Sequence, residues 1–274
     1  LESAIPFSWN TRRAMSKTHD LDAIYAKIDS LEGEVNMLHN ALEKRGVNSK
    51  GTTDIFGREF QVPVDQEHKA TKLIITNISL PHHRAFHVSW FAFFSSFFSM
   101  FAAAPLISYI RKPTALDLTK SQIGSANIAA VSTNIVMRAV TGFICDIIGP
   151  RRGVAFLLFV TCPAIIGMVF VENADGFIAC RAMIGIGLAT FVCSQVWCSQ
   201  MFNKATIGLA NATSAGWGNL GGGVTNLLMP FIFTAFYDNL DGSNAEREDK
   251  AWRYCYFVPL AMHILGGLGA LTAR

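Results

Sequence analysis

The sequence predicts an all-α membrane protein: a polar tail followed by six helices that each cross a bilayer. Three observations carry that expectation. Of 274 residues, 51% are hydrophobic and only 16% charged, whereas soluble domains average about a quarter charged. The charge is unevenly placed, with 22 of the 43 charged side chains in residues 1–85. The rest of the chain resolves into apolar stretches of about 20 residues, the length that crosses the hydrocarbon layer, at about 87–110, 123–145, 153–171, 177–201, 207–237 and 252–273. With no water inside a bilayer to satisfy backbone groups, these stretches must be helices. A scattered net charge of +3 gives no footprint for nucleic acid.

The tail, residues 1–85, opens on Leu1 and has no basic-then-apolar leader, so it reads as part of a longer protein rather than as a signal peptide. Leu21, Ile24, Ile28, Leu31, Val35, Leu38 and Leu42 step alternately by three and four, which predicts a heptad helix over about 20–45. Such a seam suits self-association or an accessory partner; a seam laid on the membrane surface or on the protein's own body reads the same way. Arg12, Arg13 and Ser16 resemble a basic-directed phosphorylation site. His83 and His87 lie one turn apart, where interfacial anchoring is the plainer reading and metal binding the sharper one. All six cysteines lie in apolar runs without CxxC spacing and read as small buried hydrophobes.

In the second stretch Arg138 stands about 12 Å deeper than Asp146, eight residues on. A charge at such depth is costly and marks a substrate pathway by default. Asn134 and Thr141 share its side of the helix, but the stretch supplies no carboxylate. Two readings stand: another helix brings an acidic partner, or the counter-ion is the substrate. A planar fork of N–H donors suits a flat oxyanion such as nitrate, nitrite or a carboxylate.

The fifth stretch carries Ala215-Gly216-Trp217-Gly218-Asn219-Leu220-Gly221-Gly222-Gly223-Val224-Thr225-Asn226 and ends its polar run at Pro230. On a helical wheel Gly216, Asn219, Gly223 and Asn226 fall within about 80°, and Gly218, Gly221 and Gly222 gather on another side. One bare face invites close helix packing; the other leaves a groove where amides can reach a small ligand, unless every glycine serves packing. Between the second and third stretches, Gly142, Asp146, Gly149 and Arg151 combine a carboxylate at a helix end, a glycine-proline turn and a following arginine. Early in the fourth, Arg181 precedes Gly185 and Gly187. By residue chemistry each of these is equally a helix anchor.

At these residues the chain resembles the major facilitator superfamily. Gly142, Asp146, Gly149 and Arg151 match its G-x-x-x-D-x-x-G-x-R loop, and Arg181-x-x-x-Gly185-x-Gly187 is similar to the pattern of its fourth helix. The stretch AGWGNLGGGVTNLLMP, Ala215 to Pro230, resembles the first signature of the nitrate/nitrite porters, in particular the eukaryotic high-affinity transporters of algae and plants. The resemblance covers residues 86–274. It implies the N-terminal half of a twelve-span fold, with the C-terminal half missing. It implies that Arg138 is the nitrate-binding arginine of the second helix, and that Gly142, Asp146, Gly149, Arg151, Arg181 and Gly185 form structural and gating motifs. It also implies a cytoplasmic tail, a plasma-membrane location and uptake of nitrate for assimilation, with protons as co-substrate.

Basic residues on the two sides of the predicted topology are too evenly split to orient the chain without that implication. The expected substrate contacts are Arg138 with Asn219 and Asn226 as donors and Gly216 and Gly223 admitting close approach. Phe93, Phe94, Phe97, Phe98 and Phe101 either wall the pathway or pack. No Ser/His/Asp, Cys/His or metal-ligand grouping converges in the loops, so no enzyme activity, metal or cofactor is expected. A nitrate-sensing receptor and a carrier of another small anion remain the alternative readings.

Overall fold

The computed structural model describes residues 26–37 and 60–273. Residues 1–51 form one unit and 52–274 a second. Of the first unit, helix α1 over 26–37 carries Ile28, Leu31 and Val35 of the heptad seam, all exposed. Leu21, Ile24, Leu38, Leu42 and the Arg12/Arg13/Ser16 cluster lie outside the described residues.

The second unit holds six helical spans long and apolar enough to cross a membrane: His82–Ile110, Lys120–Ile148, Pro150–Phe170, Ala174–Met201, Ile207–Asp238 and Asn244–Thr272. Three of them are interrupted. The first divides into α2 (His82–Phe101) and α3 (Ala103–Ile110), where Pro105 lacks the N–H that would reach the Phe101 carbonyl. The second and third are continuous, α4 (Lys120–Ile148) and α5 (Pro150–Phe170). The fourth divides into α6 (Ala174–Gly187) and α7 (Thr190–Met201), the fifth is α8 (Ile207–Asp238), and the sixth divides into α9 (Asn244–Tyr254) and α10 (Phe257–Thr272). Caps define the boundaries. Thr119 and Gln122 close a capping box on α4 and Ser243 and Glu246 another on α9. Gly149, at φ +81°, ends α4 and lets Pro150 begin α5 with no intervening residue.

The spans pair in a set of three: first on fifth, second on fourth, third on sixth. Exchanging the first three spans for the last three maps this set onto itself, the contact pattern of an internal three-helix repeat. Glycines make each pair close. A methyl built on Gly221 would lie 2.5 Å from the Phe94 carbonyl oxygen, one on Gly185 would run into the Ala130 carbonyl oxygen, and one on Gly267 would lie 2.7 Å from the Phe159 ring. His263, fully buried on α10, ties the first, third and sixth spans together: Nδ1 lies 3.0 Å from Thr161 Oγ1, and Nε2 lies 3.0 Å from Ser99 Oγ.

Packing does not follow the change in charge density near residue 85. Residues 60–80 already belong to the body: Val62, Val64 and Ala70 are buried with Phe86, Phe202 and Ala210. The Ala70 amide donates to the Met201 carbonyl at 2.9 Å, and Asn203 N donates back to Ala70 O at 3.0 Å, clasping this segment to the turn between the fourth and fifth spans. His83 Nε2 accepts from Ile74 N and His87 Nε2 lies 3.0 Å from the Asn77 carbonyl, so both rings serve the same clasp. At the other end, Arg253 reaches Asp249 and the Val169 carbonyl, each at 3.0 Å, and Lys112 pairs with Glu248 at 2.5 Å. Two of the acidic residues after the fifth span therefore tie helix ends together.

Gly185→Ala is expected to destabilise the fold by about 1–3 kcal/mol, because its methyl meets backbone that cannot give way. Gly216→Ala, where a methyl meets nothing within 4 Å, costs no stability and gains up to about 1 kcal/mol from helix propensity. Thermal unfolding of both variants in detergent checks the contrast.

Candidate functional site

The second and fifth spans are the least covered. Only 17% and 28% of their apolar windows are buried, against 50–56% for the first, third and fourth. Their open faces carry the residues expected to meet substrate. Arg138 projects from an exposed position of α4. Its Nε donates to Asn134 Oδ1 at 3.2 Å, and its guanidinium lies 5.1 Å from the Phe191 ring centroid. None of the ion pairs among the described residues includes Arg138. Of the two readings left open by the sequence, an acidic partner from a neighbouring helix is therefore not what these six spans supply.

On α8 the two glycine faces separate as the wheel predicts. A methyl on Gly218 would run into Phe93, on Gly221 into Phe94 and Phe97, and on Gly222 into Phe101 and Phe97. Methyls on Gly216 and Gly223 would meet nothing within 4 Å. So Gly218, Gly221 and Gly222 hold the first span, and Gly216 and Gly223 share an open face with Asn219 and Asn226, which are both exposed. Each amide donates one N–H back to its own helix, Asn219 Nδ2 to Ala215 O at 2.8 Å and Asn226 Nδ2 to Gly222 O at 2.9 Å. That leaves one N–H on each to meet a ligand.

Two aromatic rings join the arginine to the glycine helix. Phe191 lies 5.1 Å from Phe93, whose ring packs on Gly218. Arg138, Phe191, Phe93 and Gly218 therefore form a continuous path from the second span, through the fourth and first, to the fifth. No hydrogen bond connects Arg138 directly to Asn219 or Asn226. The phenylalanines of the first span are mainly packing: Phe93 and Phe98 are buried, while Phe101 remains 39% exposed. Phe191 was not evident from sequence, because a single phenylalanine just after the break in the fourth span carries no pattern.

The loop residues gather at one end of the bundle. Asp146 is exposed on the last turn of α4, Gly149 makes the turn, and Arg151 Nη1 lies 3.5 Å from the Ala273 carbonyl at the end of the sixth span. Gly142 has open space where a side chain would be. Arg181 lies deep in the bundle, 5% exposed, and donates to the Met100 carbonyl and, at 3.0 Å, to Asn127 Oδ1. Gly185, one turn on, rests on the Ala130 backbone. Among the described residues no cluster of three His, Cys, Asp or Glu side chains is placed to hold a metal ion.

Known proteins with similar sequences point the same way. The chain is 42% identical to the high affinity nitrate transporter 2.5 of Arabidopsis thaliana over 230 residues, 84% of this chain and 44% of that protein. It is 41% identical to the nitrate transporter 2.1 of Chlamydomonas reinhardtii over 213 residues, 77% of this chain and 38% of that one. The nitrate/nitrite transporter NrtP of Picosynechococcus sp. is 25% identical over 190 residues, 69% of this chain and 35% of that protein. The chain thus spans less than half the length of the relatives it matches. Residues 89–274 match the family description of the Major Facilitator Superfamily, and with six apolar spans the chain belongs to that superfamily of integral multi-pass membrane proteins.

Proposed function

We propose that this chain is the N-terminal half of a nitrate transporter, with nitrite as a second substrate, acting in high-affinity uptake for assimilation at the plasma membrane. The observation that carries the reading is Arg138: a guanidinium on the open face of the second span, held by a neutral amide and an aromatic ring and by no carboxylate among the described residues. A flat oxyanion completes such a group by accepting two parallel N–H bonds. The similarity to proteins named as nitrate transporters supports nitrate over other small anions. It favours a transporter over an enzyme.

In this reading Asn134 and Phe191 fix the guanidinium, so that binding loses little side-chain entropy. Asn219 and Asn226 offer their free N–H groups to the remaining oxygens as the spans shift. Gly216 and Gly223, with no Cβ, let the substrate and the facing half of the transporter come near the α8 backbone. The large uncovered faces of the second and fifth spans are where that second half would pack, placing the substrate between two domains that rock about it. The tail then lies in the cytoplasm, together with the Gly149 turn.

Drawing a monovalent anion into a cell that is negative inside costs about 2.3 kcal/mol per 100 mV. Coupling to a single proton is electrically neutral, so voltage-driven uptake requires at least two protons per nitrate. Each deeply placed charge described above is an arginine, so these spans supply contacts for the anion.

Three outcomes follow in proteoliposomes containing the full-length transporter. Arg138→Lys, which keeps the charge and loses the fork, lowers labelled-nitrate uptake at least about tenfold with the melting temperature unchanged; wild-type uptake would show that nitrate does not bind there. Phe191→Leu raises KM by about three- to tenfold, the worth of one cation–π contact, with kcat preserved. Collapsing the proton gradient with a protonophore stops accumulation, and persistence of accumulation would remove the protons from the scheme.

A further inference from the structure

The Arg138 grouping has a counterpart higher on the same helix face. Asn127, Val131, Asn134 and Arg138 step by four, three and four along α4, so they share one side. Asn134 accepts from Arg138 at 3.2 Å, and Asn127 accepts from Arg181 of α6 at 3.0 Å. Each pair is an arginine held by an asparagine carbonyl oxygen, which leaves that asparagine's N–H groups pointing elsewhere. The two asparagines are about 10 Å apart along the helix.

Arg181 differs from Arg138 in being only 5% exposed. Its other terminal nitrogen donates to the Met100 carbonyl just before the break in the first span, and its buried Nε has no partner. None of the ion pairs among the described residues includes it. Two neutral acceptors do not neutralise a buried guanidinium, and a buried charge left without a counter-ion is strongly unfavourable. Arg181 and Asn127 line a cavity of about 430 Å³ among the first, second and fourth spans, with room for a small oxyanion and a few waters. The cavity reaches the open side of the bundle past Phe101 and Val131, which are 39% and 49% exposed.

We propose that Arg181 and Asn127 form a second anion station, which takes the same class of small oxyanion from water before or after it occupies Arg138. The station rests on the transport reading above and adds to it a place for the substrate toward the end of the bundle remote from the Gly149 turn. Arginine, amide and bound anion together make a neutral group, and the missing counter-ion is the cargo itself. Val131, between the two stations, is the apolar step that separates them.

Asn127→Asp tests the assignment without emptying the cavity, because it puts a fixed carboxylate beside Arg181 where the mobile anion would sit. In the full-length transporter reconstituted in nanodiscs of phosphatidylcholine, labelled nitrate at saturation should bind at two sites in the wild type. It should bind at one in Asn127→Asp and at one in Arg138→Lys. Asn127→Asp should melt at or above the wild-type temperature and raise the KM for uptake about tenfold, the worth of one charge-assisted contact. A helix anchor gives the same melting result with stoichiometry and KM unchanged, and that outcome overturns the station. A single nitrate, lost in Arg138→Lys and kept in Asn127→Asp, overturns the station alone; no nitrate bound by the wild type overturns the Arg138 reading with it. Loss of the second site on adding phosphatidylglycerol would identify a lipid phosphate as the occupant and also overturn the proposal.

Discussion

A guanidinium in apolar surroundings must be balanced by something, and what balances it decides what the protein can do. In this bundle the groups that hold Arg138 and Arg181 are side-chain amides, an aromatic ring and a backbone carbonyl. These orient the cations without cancelling their charge. Had either arginine met an aspartate, the pair would have been a permanent strut, and an anion approaching it would have had to displace a carboxylate fixed by the chain. Leaving the charge open creates a standing demand for a mobile anion, which a carrier can satisfy and then release.

That demand is tolerable only because the rest of the bundle is closely packed. Glycines on the fourth and fifth spans bring their partners to backbone distance, and Gly267 on the sixth rests on the Phe159 ring; the dispersion contacts over that length offset the cost of a poorly neutralised charge. The pairing of first with fifth, second with fourth and third with sixth distributes these contacts over both three-span repeats. A gain of even one methyl at Gly185 or Gly221 forces backbone apart, whereas Gly216 and Gly223 are free of any such neighbour. The same residue type thus does two jobs on one helix, and the side of the helix determines which.

The clasp formed by residues 60–80 and the buried His263 cluster show where polar groups serve the fold alone. His82, His83 and His87 are spent on carbonyl and amide partners of the segment before the first span, which gives histidines a turn apart a structural role. His263 satisfies hydroxyls on two neighbouring spans from the centre of the bundle. Neither arrangement announces itself in sequence, because isolated histidines, serines and threonines have no spacing of their own; their partners lie as many as 168 residues away.

The sequence by itself determined the class of fold, the number of spans, the depth of Arg138 and the division of the α8 glycines into two faces. Each of these follows from local physics: the thickness of a bilayer, the cost of a charge within it, and a rotation of about 100° per residue. Tertiary structure alone decided which glycine face is occupied, that no acidic residue among the described ones pairs with either arginine, and that Phe191 and Phe93 link the second span to the fifth. It also decided that Asn127 meets Arg181 across a cavity. These facts depend on the neighbour each helix receives, and a neighbour is chosen by the packing of whole surfaces, which periodicity along one chain does not encode.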